Sequence, residues 1–433
     1  MASTDPTDAA HDEVEEEEFL DSHDVLVEIP EETEDYPMDD DEDDGPHEEG
    51  EAEGMAPEDI VWEDNSVQQF TTHAGSVFTV SVHPTLPIAA SGGEDDLGYL
   101  WDITTGEQIA KLTGHTDSVT ATAFSTDGEL IATGGMDGKV RLWRRVAKDA
   151  ASRTWEFLTE IVGPDEVMWL RWHPKGQVLL AGSNDSTVWL WQLPSGNTMQ
   201  VLAGHEGPVQ CGQFTPDGKR VITGDATGAL IFWDPRSATP IFKLSAADGR
   251  FGLTEGITSL AVNPSSTLAV VGGAAGGVRV VNLAKGDVVG ALDGHGADES
   301  VESIAFVEFG PAAAAGPGVV ATGATDGKVC VWDLATMRLR ATLEHSDAVT
   351  SLLPHPAPSA HILTSASADK SLRTWDARAG TLIREHKGHQ GPILGSALSL
   401  DGSKVVSAGD DAIDSQPPVN ELEKDRLLST LVQ

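Results

Sequence analysis

The segment GHTDSVTATAFSTDGELIATGGMDGKVRLW, residues 114–143, contains the pattern that decides the fold. An alternating apolar run occupies 119–124, and the turn sequence Ser-Thr-Asp-Gly follows it at 125–128. A second apolar run at 130–133 leads to another Asp-Gly turn at 136–138, after which a third run ends the segment. Short apolar runs separated by such turns are typical of antiparallel strands joined as hairpins. The segment therefore predicts three consecutive short strands.

The same pattern recurs with a period of 42 to 51 residues. Gly-His pairs begin four units, at Gly114-His115, Gly204-His205, Gly294-His295 and Gly388-His389. Six units end on tryptophan, and Val281 holds that place in the fifth; the tryptophans are Trp101, Trp143, Trp191, Trp233, Trp332 and Trp375. This period matches WD40 repeats, in which each repeat supplies a four-stranded propeller blade. We count eight units and predict an all-β WD40 β-propeller of eight blades over residues 65–414.

Four residues of the second unit are expected to form a buried hydrogen-bonded chain. Asp137 lies six positions and Thr133 ten positions before Trp143, and His115 precedes all three. In WD40 blades such a set is structural, because a buried polar chain is stable only when every member has a partner. We therefore exclude these residues as catalytic or metal-binding candidates. The third and fifth units lack the Gly-His pair and must rely on apolar packing.

The sequence offers a closing strand at the start of the predicted ring, but the repeat pattern breaks down at its end. Residues 67–71 are the candidate strand that completes the last blade, since a propeller must close to protect its strand edges. In the eighth unit, however, Pro417 stands where tryptophan is expected, so that this blade is incomplete or altered. The tail 415–433 is expected to be irregular or weakly helical. Either this end folds differently, or the gene model is wrong over 412–433.

Negative charge is concentrated at the N-terminus. The chain carries 70 Asp and Glu against 27 Lys and Arg, a net charge of -43. Residues 1–64 contain 29 of these acids and no Lys or Arg, so we predict a disordered acidic tail. The apolar islands at 19–20 and 25–29 are either incidental to a solubilising tail or a docking motif that folds on a partner.

Composition and motifs exclude several classes of function. The acidic balance disfavours sequence-independent binding to nucleic acid or anionic membranes. Two cysteines, Cys211 and Cys330, are too few for a disulfide framework, and we expect both to be buried in a reducing compartment. No phosphate-binding loop, nucleophile elbow or zinc motif is present in the sequence, so we predict no catalytic residue, cofactor or metal.

Acidic residues occupy the predicted loops at one face of the propeller. In WD40 domains that face is built from the residues before the first strand and the turn after the second. These positions hold Glu94, Asp96, Asp117, Asp165, Glu166, Glu255, Glu299, Glu302, Asp347 and Asp410. Either they reflect only the acidity of the whole chain, or they form a site for a cationic polypeptide. Trp169 near this face is expected to act as a wedge between blades or to stack on a guanidinium, and Trp172 to pack in the core.

Several stretches resemble the angio-associated migratory cell protein family of animals and its fungal counterparts, dedicated chaperones of ribosomal protein L-ten. The resembling stretches are residues 91–96, 114–120, 169–174, 178–182 and 216–220. The resemblance implies a non-enzymatic, cytoplasmic, monomeric chaperone that captures the basic N-terminal segment of a nascent large-subunit ribosomal protein, without direct contact with nucleic acid or membrane. The alternative is a WD40 scaffold in signalling or cell migration, which fold alone does not exclude.

Overall fold

The computed structural model describes residues 64–146, 154–309, 316–411 and 429–432. The first sixteen strands are β1 (Gln68–Gln69), β2 (Val77–Val82), β3 (Ile88–Gly93), β4 (Gly98–Asp102), β5 (Gln108–Leu112), β6 (Val119–Phe124), β7 (Leu130–Gly135), β8 (Lys139–Arg145), β9 (Trp155–Val162), β10 (Val167–Trp172), β11 (Val178–Ser183), β12 (Thr187–Gln192), β13 (Asn197–Ala203), β14 (Val209–Phe214), β15 (Val221–Asp225) and β16 (Leu230–Asp234).

The remaining strands are β17 (Thr239–Leu244), β18 (Ile257–Val262), β19 (Leu268–Gly273), β20 (Val278–Asn282), β21 (Asp287–Leu292), β22 (Ser303–Val307), β23 (Val319–Gly323), β24 (Lys328–Asp333), β25 (Arg338–Glu344), β26 (Val349–Pro354), β27 (Ile362–Ser367), β28 (Ser371–Asp376), β29 (Thr381–Lys387), β30 (Ile393–Leu398), β31 (Lys404–Gly409) and β32 (Ser429–Val432). The all-β prediction is confirmed. No helix in the described part of the chain is long and apolar enough to cross a membrane.

The strands pair into eight four-stranded antiparallel sheets. β2 to β5 form sheet 1, each following group of four strands forms the next sheet up to β26–β29 in sheet 7, and β30, β31, β32 and β1 form sheet 8. The first strand of each sheet packs against the first strand of the next, and β30 packs against β2. The eight first strands are therefore the innermost strands of a closed ring.

Apolar packing joins each sheet to its neighbours. The described residues form eight clusters of buried apolar side chains, and each cluster combines residues from two adjacent sheets. Between sheets 3 and 4 the ring of Trp169 is buried and donates from Nε1 to the carbonyl of Val209 at 2.8 Å. A Cβ at Gly182 or Gly212 would approach this ring to 2.3 or 2.4 Å, so glycine is needed on both sides. Of the two roles expected for Trp169, the structure shows the wedge.

Sheet 8 is completed by both ends of the described chain. β1 pairs with β32 through Gln68 and Thr430, and β32 pairs with β31 through Val405 and Leu431. The expected closing strand within 67–71 is thus confirmed. The expectation of an irregular or weakly helical tail over 415–433 is wrong for Ser429–Val432, which form a strand. Without it, the backbone donors and acceptors of β31 would face an open edge.

The other terminal expectations concern residues that are not described. The acidic tail and its apolar islands lie outside the described residues, apart from Asp64 at its end, and so do 412–428.

In the fifth unit, where tryptophan and Gly-His are both missing, Val281 is fully buried together with Phe251 and Leu253. Apolar packing thus replaces the polar chain in sheet 5, as expected.

Candidate partner-binding face

Strand register brings two sets of loops to one end of the ring. In sheet 2 the first residue of the first strand, Val119, pairs with the last residue of the second strand, Gly135. The same pairing joins Val349 to Ser367 in sheet 7 and Ile393 to Gly409 in sheet 8. The loop before each first strand and the turn after each second strand therefore lie side by side. We call this end of the ring the top face, and the opposite end the bottom face.

All ten predicted acidic residues lie on loops of the top face, and we call this set the acidic rim. Glu94, Asp96 and Asp410 follow second strands, and the other seven immediately precede first strands. The exposed members are Glu94, Asp117, Asp165, Glu255, Glu302 and Asp347, and the half-buried members are Asp96, Glu166, Glu299 and Asp410. Seven of the eight sheets contribute to the set. The structure therefore distributes these carboxylates around the face instead of gathering them at one point.

Two members of the acidic rim are linked across the junction of sheets 8 and 1. The hydroxyl of Ser76 donates to Asp410 at 2.6 Å, and the backbone N–H of Ser76 donates to Glu94 at 3.3 Å. Glu299 accepts a hydrogen bond from the hydroxyl of Thr325 at 2.6 Å. These bonds fix three carboxylates in place before any partner arrives.

Two exposed members are held only by their own backbone. Asp117 accepts from the N–H of Ser118 and Asp347 from the N–H of Ala348, both at 2.7 Å. Within the described residues neither carboxylate forms an ion pair, so its charge is available to a cationic ligand. A guanidinium or ammonium group could bind there through charge-assisted hydrogen bonds.

Sheet 4 contains an acidic residue that the sequence analysis missed. Glu206 is exposed in the loop before β14 and forms an ion pair with Lys243 at 3.0 Å. It stands directly after His205, whereas the acid of the second unit, Asp117, stands two places after its histidine. Because of this one-residue offset, the repeat pattern did not predict Glu206 as a member of the acidic rim. Its pairing makes Glu206 less available than Asp117.

Two basic residues near sheet 2 are neutralised within their own sheet. Arg141 forms an ion pair with Glu160, and Arg144 forms one with Glu156 at 2.5 Å. Each pair joins β8 to the outermost strand β9, and Arg141 also donates to the carbonyl of Gly114 in the loop before β6. Both guanidinium groups are therefore paired with glutamates that do not belong to the acidic rim.

Buried histidine–aspartate chains stabilise loops of the top face. In sheet 4, Trp233 donates to Thr223 at 2.8 Å, and the Thr223 hydroxyl contacts His205 Nε2 at 2.7 Å. His205 Nδ1 then donates to Asp225 at 2.7 Å. Burial alone would raise the pKa of Asp225, but hydrogen bonds from His205 and the N–H of Ala229 outweigh it and lower the pKa to about 2.

The chain predicted in sheet 2 has three of its four members. His115 contacts Asp137 at 3.0 Å and Thr133 at 2.7 Å. Trp143 makes no hydrogen bond to Thr133 within the described residues; it packs edge-on against Phe157 instead. Burial lowers the pKa of His115 despite the hydrogen bond to Asp137, so the imidazole is neutral at physiological pH. A neutral, enclosed imidazole of this kind is structural.

The two thiols and the candidate metal ligands were the remaining groups that could carry a functional site. Burial raises the pKa of Cys211 to about 12 and that of Cys330 to about 11, so neither thiol is a nucleophile near neutral pH. Among the described residues, no cluster of three His, Cys, Asp or Glu side chains could hold a metal ion. Trp172 donates from Nε1 to Ala123 at 2.9 Å and packs against the core between sheets 2 and 3, as expected.

Comparison with known proteins agrees with this architecture. The family model for the WD domain, G-beta repeat, matches residues 64–102, 106–144, 155–192, 196–234, 286–333 and 337–376, which together exceed half of the chain. Human angio-associated migratory cell protein is 34% identical over 362 residues, covering 80% of this chain and 79% of that protein. Ribosome assembly protein SQT1 of Saccharomyces cerevisiae is 27% identical, covering 67% of this chain and 70% of that protein.

Among solved structures, Chaetomium thermophilum Sqt1 bound to the N-terminus of the ribosomal protein L10 superposes with a TM-score of 0.76 and 27% identity. The match covers 86% of this chain and 100% of that chain. The period, the blade-like sheets and these matches lead to one conclusion. The chain belongs to the WD40-repeat family and is a relative of angio-associated migratory cell protein and Sqt1.

Proposed function

We propose that this protein is a non-enzymatic chaperone whose acidic rim captures the basic N-terminal segment of a large-subunit ribosomal protein before ribosome assembly. The observation that carries the proposal is the set of carboxylates spread over the top face in seven of eight sheets. A segment rich in Arg and Lys could contact several of them at once. Simultaneous charge-assisted bonds hold a flexible cationic chain more firmly than isolated surface pairs do.

The relative of known structure supports the same partner. In that structure, Chaetomium thermophilum Sqt1 is bound to the N-terminus of the ribosomal protein L10. We extend that partner class to this chain because the two proteins share 27% identity across nearly the whole ring. Free ribosomal proteins carry many cations and aggregate through unspecific contacts with nucleic acid, so an acidic holder would keep one soluble. Ribosomal RNA would then displace the holder by competition.

We propose further that the rim is presented by eight blades on a monomer that acts in the cytoplasm. The family model matches six segments and leaves three strands of sheet 5, β18 to β20, and three strands of sheet 8, β30 to β32, unmatched. Support for counting both as blades comes from strand pairing and from the eight apolar clusters between adjacent sheets. A net charge of -43 favours a basic protein partner over nucleic acid or membrane.

The proposal is tested by charge reversal on the top face with a matched reversal on the bottom face. The test triple is Glu94→Lys, Glu166→Lys and Glu302→Lys. The control triple is Glu107→Lys, Asp287→Lys and Glu308→Lys, three exposed acids at strand ends of the bottom face. Both triples change the net charge equally. Binding of a fluorescent peptide with the L10 N-terminal sequence is measured by anisotropy for both triples and the wild type.

We expect the test triple to weaken peptide binding at least about 100-fold, and the control triple less than about threefold. Each lost charge-assisted hydrogen bond contributes about 1.5–3 kcal/mol, and about 1.4 kcal/mol corresponds to a factor of ten. Equal weakening by both triples would mean that peptide binding depends only on the net charge of the protein and not on the acidic rim. A wild-type protein that does not bind the peptide would reject the function itself.

A scaffold in signalling or cell migration is the second candidate, and one observation favours it. The human relative with 34% identity is named for migratory cells. Affinity purification of the full chain separates the two candidates. A chaperone co-purifies with one basic ribosomal protein in near-equal amount, whereas a scaffold brings down several unrelated partners.

A further inference from the structure

The innermost strands of the ring carry a single charge. All eight of them, β2, β6, β10, β14, β18, β22, β26 and β30, are described, and Arg171 on β10 is their only charged residue. Glu166, the acid nearest to Arg171 along the chain, lies one residue before β10 in the top-face loop, whereas Arg171 lies near the opposite end of that strand. An isolated cation at the axis of so acidic a protein requires an explanation.

The surroundings of Arg171 place its guanidinium in the central channel. The side chain is exposed although its strand is innermost, and the protein around it nevertheless lowers its pKa through burial. An exposed side chain on an innermost strand of a closed ring faces the axis of the ring, where the central channel lies. Nη1 donates to the carbonyl of Leu170 at 3.1 Å, and within the described residues Arg171 forms no ion pair. Most of its five donor positions therefore remain free.

The neighbouring inner strand adds neutral donors and no acid. Gln213 holds the same position on β14 as Arg171 does on β10, each pairing with the second strand of its own sheet. Gln210 lies nearer the top face on the same strand and is exposed. Neither amide side chain makes a hydrogen bond within the described residues. Cys211 on the same neighbouring strand acts electrostatically on Arg171, and it is a neutral thiol because burial raises its pKa to about 12.

We propose that the central channel contains an anion site at Arg171, with Gln213 and Gln210 as accessory donors, for one carboxylate or phosphate group. The planar guanidinium can hold two oxygens of such a group in parallel hydrogen bonds, which an ammonium group cannot do. The site is separate from the acidic rim and has the opposite sign. A ligand that uses both would combine cationic residues on the top face with one anionic group in the channel.

The test uses inorganic phosphate and acetate as probes on the full chain, by titration calorimetry at constant ionic strength set with sodium chloride. Arg171→Gln removes the charge, and Arg171→Lys keeps it but loses the bidentate geometry. Arg236→Gln is the matched control, because Arg236 is an exposed arginine on a turn of the bottom face. We expect phosphate binding to weaken at least tenfold in R171Q, by an intermediate factor in R171K, and less than twofold in R236Q.

Each result decides one point. Acetate binding that R171Q abolishes would show that a carboxylate is sufficient, and binding of phosphate alone would restrict the site to phosphate groups. Unchanged phosphate affinity in a folded R171Q protein overturns the inference, as does a wild-type protein that binds neither anion. Circular dichroism of each variant checks folding. Because no basic peptide is used, these outcomes are independent of the proposed chaperone function.

Discussion

Substituting Asp225 by asparagine should destabilise the protein more than any comparable change on its surface. The carboxylate is fully buried and accepts hydrogen bonds from His205 Nδ1 at 2.7 Å, from the Thr227 hydroxyl at 2.7 Å and from the Ala229 N–H at 2.9 Å. Asparagine has nearly the same shape, but its amide would direct N–H groups at these donors. The change therefore tests hydrogen bonding and charge without creating a cavity.

The expected magnitude follows from the pKa of Asp225. It falls from 3.8 in a model peptide to about 2 in the fold, and one pKa unit corresponds to about 1.4 kcal/mol. The ionised form thus contributes about 2 kcal/mol above pH 4, and this contribution is lost as the pH falls through about 2. In the variant, the amide N–H groups of asparagine would also face the N–H and O–H donors that now bind the carboxylate. Asp225→Asn should therefore lower the free energy of unfolding by about 2–4 kcal/mol at pH 7.

Urea unfolding followed by tryptophan fluorescence measures this loss at pH 7 and again at pH 3. Asp217→Asn is the control, because Asp217 in the same sheet also accepts hydrogen bonds, from the Thr215 hydroxyl and the Lys219 N–H, but its side chain is 38% exposed and water can replace them. The control should lower the free energy of unfolding by less than about 1 kcal/mol. At pH 3 the gap between wild type and Asp225→Asn should narrow. A substitution at Asp225 no more costly than that at Asp217 would refute the structural role of the buried chain.

Three further predictions concern other buried groups. Burial lowers the pKa of His386 to about 4, so the imidazole is neutral in the fold. The part of the free energy of unfolding that is due to His386 should therefore fall by about 3 kcal/mol as the pH drops from 6.5 to 4 and should not change further below pH 4. Replacing His386 by glutamine should flatten that part of a urea-midpoint profile. Gly212→Ala places a Cβ 2.4 Å from a buried indole and should cost about 1–3 kcal/mol in thermal or urea unfolding, whereas Gly249→Ala, with nothing within 4 Å, should have no such effect. Cys330, which is buried, and Cys211, which is half-buried, should resist a thiol reagent at pH 7.5 because both thiols stay protonated, and they should react fully in urea. Rapid labelling of the native protein would contradict the raised pKa of these thiols.

The repeat period explains why much of this fold is predictable from sequence. Because Thr133 and Asp137 keep fixed offsets from Trp143, the unit reveals its strands, its turns and its buried histidine contacts. The same offsets assign Asp117 and Asp347 to loops before first strands, which is where the structure has them. Local sequence fixes which loop a residue occupies, and strand register then fixes the face to which that loop belongs.

Features that depend on contacts between distant segments could not be predicted in this way. Ser429–Val432 follow no repeat pattern, and they form a strand because β31 and β1 both lack a partner. The ion pair between Glu206 and Lys243 joins residues 37 positions apart and cannot be read from either unit. The isolation of Arg171 becomes visible only when all eight first strands are known to surround one axis. The sequence of a single unit therefore does not show the contacts that form when the ring closes.

Amide hydrogen exchange of the full chain, with and without the L10 N-terminal peptide, tests the central claim most directly. The account predicts that the peptide slows exchange in top-face loops, at 94–96, 116–118, 163–166, 254–256 and 346–348. Exchange in the bottom-face turns 126–129, 216–219 and 284–287 should not change. Protection confined to the bottom-face turns or to the outermost strands would contradict the account, because the acidic rim would then not be the surface that holds the cationic segment.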